Sequence, residues 1–119
     1  MKTQRIPCTI KKRSEFVRIC ELGSWAKTYL ISVACYSLGK DSSVGYTASK
    51  KIGKAVKRNK AKRRMRSLVR EMAGEFEVGS SFVFVANLNT VNCKFSALKS
   101  DFLYCIKKSM KRAKRNENC

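Results

Sequence analysis

The chain has 119 residues, 44% of them hydrophobic, with 27 Lys or Arg against eight Asp or Glu, no histidine and a formal charge of +19. That length predicts one domain, 1–119, with a modest core. The missing histidine removes the usual neutral-pH general base, the carboxylates are few and scattered, and no apolar run approaches ~18 residues, which excludes a self-sufficient acid–base enzyme and a membrane-spanning helix.

Met1–Arg13 is basic, holds the only proline, Pro7, carries no secretory signal and reads as an extended lead-in. Ser14 is placed to cap a short helix, with Glu15 in its first turn, Phe16, Val17, Ile19 and Cys20 as its apolar residues and Gly23 as its stop. Trp25–Leu38 is rich in aromatic and β-branched residues and predicts a strand. Gly39–Ser43 predicts a turn and Val44–Ser49 a second strand, the two strands forming an antiparallel hairpin.

A long helix is predicted from Ala55 to Ala73, with Gly74 and Gly79 marking its exit. Phe82–Ala86 is a short continuous apolar run, as in a buried strand, and is parallel to Val44–Ser49 if the two are neighbours. Asn87–Asn92 reads as a loop. Phe95, Leu98, Phe102, Ile106 and Met110 keep helical spacing over 94–112, and the tail from 113 to 119 is expected to fray. The order α-β-β-α-β-α predicts a two-layer sandwich of the α+β or α/β class, a sheet with helices on it.

The six cysteines, Cys8, Cys20, Cys35, Cys93, Cys105 and Cys119, form no CxxC pair. Without histidine they match no common zinc pattern, and no metal site is expected. Their spread suits reduced thiols used as small hydrophobes in a cytoplasmic protein.

The charge concentrates in Lys50–Arg70, where 11 of 21 residues are Lys or Arg and none is acidic. Ala61, Met65, Leu68, Val69, Met72 and Phe76 run through this segment and beyond it as one helical stripe, which a disordered basic arm has no reason to keep. At about 100° per residue, Asn59, Lys62, Arg63, Arg66 and Arg70 form a ridge away from that stripe. Guanidinium forks bind phosphate oxygens bidentately, and Asn59 adds a directional hydrogen bond. Gly53, just ahead of the helix, frees its first backbone amides for an anion, and the lysines around that end oppose the helix dipole until a ligand phosphate relieves them. Charge kept for solubility would not cluster in residues 50–70 and 107–115, and a solvated face would carry interleaved Glu. Nucleic acid is the leading partner and an anionic membrane surface the distant second.

Ser49 through Arg66, SKKIGKAVKRNKAKRRMR, resembles the signature of the protein component of bacterial ribonuclease P: a strand ending in Ser-Lys-Lys, then Gly-x-Ala-Val-x-Arg-Asn, then a helix continuing x-x-Lys-Arg-x-x-Arg. Every signature position is filled; Lys60 stands where many members carry a second arginine. The resemblance covers nearly the whole chain. It implies a ribosomal-protein-like domain with a left-handed crossover between parallel strands, against the usual right-handed preference. It implies a protein without catalytic residues of its own, acting as a monomer with a catalytic RNA that binds Mg2+ and removes the 5′ leader from precursor tRNA. Lys50, Lys51, Arg58, Asn59, Lys62, Arg63 and Arg66 are then expected on that RNA, with Arg70 continuing the ridge. Phe16, Thr47 and Ser49 are expected in a cleft for the single-stranded leader, and Cys20 replaces a second cleft aromatic, removing a stacking surface. Two other classes remain. A ribosomal or general RNA-binding protein of the same fold would need no leader cleft. A DNA-binding helical module lacks a helix-turn-helix pair here.

Overall fold

The computed structural model describes residues 8–37, 42–76 and 79–117. Its elements are β1 (Cys8–Thr9), α1 (Arg13–Leu22), β2 (Ser24–Lys27), β3 (Ile31–Ser37), β4 (Ser43–Ala48), α2 (Ala55–Glu71), β5 (Ser80–Ala86), α3 (Leu88–Asn92) and α4 (Phe95–Glu117). Single 3-10 turns at Lys50–Ile52 and Ala73–Glu75 flank α2. The strands form one sheet in the order β1-β4-β5-β3-β2.

Strand β5 lies in the middle because it is apolar on both faces: of Ser80–Ala86 all but Val85 are buried. It pairs parallel with β4, Val44 opposite Phe82 through Ala48 opposite Ala86, and α2 makes the crossover. It pairs antiparallel with β3, Ile31 opposite Ala86 through Ser37 opposite Ser80.

Alternation along these strands sorts the side chains into two clusters. Ile31, Val33, Cys35, Val44, Phe82, Phe84 and Ala86 face α2 and α4, meeting Ala61, Met65, Leu68, Leu98, Phe102 and Ile106. Phe84 stacks on Phe102 at 4.7 Å between ring centroids. Burial of this large cluster is the main source of stability. On the opposite face, Ala34 and Val83 meet Ile19 of α1, with Ile10, Phe16, Cys20, Trp25, Tyr36 and Val85 around them. The main sandwich is therefore the sheet with α2 and α4, and α1 lies across part of the other face.

Several expectations are corrected. The predicted hairpin between residues 25–38 and 44–49 does not form, because β5 inserts between β3 and β4. The stretch read as one strand from Trp25 breaks at Thr28, whose hydroxyl accepts from the Leu30 and Ile31 amides, so β2 folds back antiparallel on β3. Helix α1 begins at Arg13 with Lys12 at its N-cap and no side-chain cap, so Ser14 does not cap it. The segment read as a loop after Asn87 is α3, nucleated by a capping box in which the Asn87 side chain accepts from the Asn89 and Thr90 amides and Thr90 answers to the Asn87 amide. Helix α2 stops at Glu71, and α4 continues through the expected frayed tail to Glu117. Within the basic lead-in, Cys8–Thr9 joins the sheet beside β4, while residues 1–7 and most of the predicted turn at 39–43 lie outside the described residues.

Candidate nucleic-acid interface

Helix α2 is amphipathic in the way its sequence demands: Ala61, Met65, Leu68 and Val69 are buried, and Met72 is buried just past its end. Asn59, Arg63, Arg66 and Arg70 are exposed on the ridge, and Lys62 and Arg58 are half-buried at its margins. Among the described residues none of these cations has a carboxylate within 4.0 Å; the ion pair that does form near this helix joins Glu71 to Lys99 at 3.2 Å. The Arg58 Nε is buried with no hydrogen-bond partner among the described residues. The sequence places Arg58 close to the apolar stripe, which is why its stem is drawn inward.

Tyr46, on the face of β4 that meets α2, stacks on Phe84 and lies under Arg66, whose Cζ is 5.6 Å from the ring centroid. Burial pushes the Tyr46 phenol up, while Arg66 and Arg70 pull it down. The ring fixes the direction of Arg66 and leaves its guanidinium edge open. This support escaped the ridge analysis. It was recoverable from alternation along VGYTAS, since Tyr46 must oppose Thr47 and face the crossover helix.

Arg64 is different from its neighbours. Its Nη1 donates to the Thr90 carbonyl at 2.9 Å and the Cys93 carbonyl at 2.8 Å, tying α2 to the end of α3. It is a structural arginine inside a binding sequence.

The entry to α2 is built for backbone exposure. Gly53 has φ of +112°, with nothing within 4 Å of where a Cβ would stand. Lys54 is the N-cap and contributes no side-chain cap, and the first turn carries no acidic residue. The first amides of the helix, with the positive end of its dipole, thus face open space. Lys50 and Lys51 sit in the preceding turn, where the Lys51 amide donates to Ser49 Oγ at 3.1 Å and Lys51 is exposed. The Lys50 side chain lies outside the described residues.

On the α1 face, Gly45 lies beneath Phe16 and Ile10. A Cβ there would stand 3.1 Å from Phe16 Cδ2 and 3.2 Å from Ile10 Cδ1, so the missing side chain is what lets Phe16 lie against the sheet. Thr47 follows on the same face, half-buried, and Ser49 continues it toward the turn. Phe16 and Thr47 therefore share one face of the sheet, and Ser49, through its bond to Lys51, links that face to the basic turn. Cys20 lies half-buried in the same cluster as Phe16, with burial and Glu21 pushing its thiol up. Gly45 and Ile10 were missed by motif reading, because one is defined by having no side chain and the other lies outside any motif.

An unneutralised cationic ridge and an open helix N-terminus together define a protein that binds a polyanion. Residues 6–112 match the family model described as Ribonuclease P. The chain is 34% identical over 106 residues to the ribonuclease P protein component of Paramagnetospirillum magneticum, covering 83% of this chain and 80% of that protein. It is 33% identical over 111 residues to the one from Bacillus cereus strain AH187, covering 89% and 95%. The fold is shared with the ribonuclease P protein of Thermotoga maritima (TM-score 0.75, 24% identity, 84% and 96% covered) and that of Staphylococcus aureus (TM-score 0.73, 23% identity, 83% and 92% covered). The chain belongs to the ribonuclease P protein family, and its role is that of the protein subunit of ribonuclease P. A ribosomal or general RNA-binding role is not favoured by these matches. Among the described residues no helix is long and apolar enough to cross a membrane.

Proposed function

We propose that this chain acts in the cytoplasm, as a monomer within the holoenzyme, to help a catalytic RNA remove the 5′ leader from precursor tRNA. The observation that carries this reading is the α2 ridge, whose cations lack carboxylate partners among the described residues and whose Asn59, Lys62, Arg63 and Arg66 are those of the family signature. Arg63, Arg66, Arg70 and Lys62 neutralise phosphates of the RNA subunit, while Asn59 supplies a directional contact. The open amides after Gly53, with Lys50 and Lys51, take a further phosphate at the helix entry. Arg58, its Nε turned inward, contacts the RNA through its outer nitrogens.

The cleft between α1 and the sheet receives the single-stranded leader. Phe16 offers a stacking surface and Thr47 and Ser49 offer hydroxyls. Because the cleft meets the helix entry at Ser49, leader and RNA subunit are held side by side. Mg2+ supplies the hydrolytic chemistry from the RNA; the groups this chain presents at the interface are basic and hydroxylic and suit phosphates rather than a divalent cation. The protein's share is to lower repulsion between phosphates and to hold the leader in place, which relaxes the Mg2+ demand of the RNA.

The test is cleavage of precursor tRNA by a bacterial ribonuclease P RNA at low Mg2+, with and without the protein. The expected result is stimulated cutting at the mature 5′ end that grows with leader length. Tight, salt-sensitive RNA binding without stimulation would refute the reading.

A further inference from the structure

Helix α4 carries a second cationic ridge that the α2 interface does not use. Phe102, Ile106, Ser109 and Ala113 are buried against the sheet side. At about 100° per residue, Tyr104, Lys107, Lys111 and Lys114 fall within a sector of roughly 80° on the opposite side, and all four are exposed. Tyr104 is 54% exposed, a large aromatic surface set among lysines.

Two ordinary explanations fail. Lysines near a helix C-terminus complement its dipole, but that effect is confined to the last turn. Since α4 runs on to Glu117, Lys107 and Lys111 stand well inside it. A solvated helix face is usually laced with carboxylates at neighbouring positions. Here the charge of Asp101 acts on Cys105, Glu71 is engaged by Lys99, and Glu117 lies within one turn of Lys114, but no carboxylate stands three or four positions from Lys107 or Lys111. The ridge thus adds repulsion to a chain already at +19.

We propose that the outer ridge of α4, Tyr104 with Lys107 and Lys111, is a second RNA-binding surface that takes a backbone segment of the RNA subunit. The proposal rests on the reading above that this chain works on that RNA. Helix α4 packs on the sheet face opposite the α1 cleft, so a leader lying in the cleft does not reach the ridge. Lysines are point charges without a fork, suited to phosphates read without regard to sequence, and the exposed ring can stack one unpaired base. An RNA contacting both α2 and α4 spans the outer layer of the molecule.

The experiment measures binding of the full-length protein to a bacterial ribonuclease P RNA transcript across a salt series. Wild type, Lys107→Gln/Lys111→Gln, Tyr104→Ala and a Lys99→Gln control are compared, with melting curves for each. The double variant is expected to lower the salt slope by roughly 1.4–1.8 units. Tyr104→Ala is expected to weaken binding about tenfold with the slope unchanged. Lys99→Gln leaves the slope at the wild-type value. Equal slopes for the wild type and the double variant overturn the proposal, and so does an equal fall in the Lys99→Gln control, which would mark a bulk-charge effect. Binding to phosphatidylglycerol vesicles that the double variant loses, with RNA binding intact, overturns it in favour of a membrane surface. If the wild type itself fails to bind the RNA, the family reading of the α2 interface falls instead.

Discussion

Arg64 and Arg66 are near neighbours on α2, carry the same charge and belong to the same signature stretch, yet the structure gives them opposite roles. Arg64 donates from Nη1 to the Thr90 and Cys93 carbonyls at 2.9 and 2.8 Å. Replacing it with Met keeps the apolar stem and removes both bonds. A hydrogen bond from a charged donor contributes about 1.5–3 kcal/mol, and water at this half-buried site recovers part of that, so Arg64→Met should cost about 2 kcal/mol. For a domain of this size that lowers Tm by roughly 8 °C. Arg66 lies over the Tyr46 ring, its Cζ 5.6 Å from the centroid, and has no carboxylate partner among the described residues. Arg66→Ala should therefore change Tm little and lower the salt slope of RNA binding by about one unit. The assay pairs thermal unfolding with affinity for a bacterial ribonuclease P RNA over a salt series. Arg64→Met with an unchanged Tm and a reduced slope would refute the division of roles.

Gly45→Val should press on Phe16 and Ile10, cost about 1–3 kcal/mol in urea unfolding, and weaken binding of leader-bearing tRNA more than binding of the RNA subunit; equal losses on both would sever Gly45 from the cleft. Tyr46→Leu should remove the ring beneath Arg66 and weaken RNA binding about two- to fivefold, while Tyr46→Phe, which keeps the ring, should stay near wild type. Burial, with Asp101 beside it, raises the Cys105 thiol to about 11 from an ordinary 9.0. The native state therefore keeps this proton where the unfolded chain loses it, so its contribution to stability is full below about 9 and is lost as pH rises to about 11. Cys105→Ala should flatten the alkaline fall in stability measured by urea titration across that window, and an unchanged fall would show that other groups cause it.

The local periodicities were readable and the strand pairing was not. The α2 stripe of Ala61, Met65, Leu68 and Val69 is buried as its spacing demands. The Asn59–Arg70 ridge followed from the same arithmetic. The hairpin failed because adjacency in sequence favoured pairing residues 25–38 with 44–49, whereas the doubly buried β5 needs a partner on each side. The run FVFVA already carried that requirement. Helix α3 was hidden because Asn87 and Thr90 suit turns as well as caps, and only the capping-box geometry decides between them. Phe16, Thr47 and Ser49 came from the family resemblance, while Gly45 became legible only once β4 and α1 were seen in contact.

The distribution of charge explains how so basic a chain folds. The apolar clusters occupy both faces of the sheet, and the charges with a structural task, Arg64 on the α3 carbonyls and Arg112 on the Trp25 carbonyl, bond to backbone oxygens rather than to carboxylates. The other α2 cations have no carboxylate partner among the described residues, so their repulsion subtracts from a fold stabilised chiefly by burial. Added salt screens that repulsion, and RNA replaces it with attraction. The same cations therefore set both the salt dependence of folding and that of binding, with opposite sign: salt should stabilise the free protein while it weakens the complex. Neutralising the α2 ridge would raise the stability of the free chain at low salt and remove the reason for its shape.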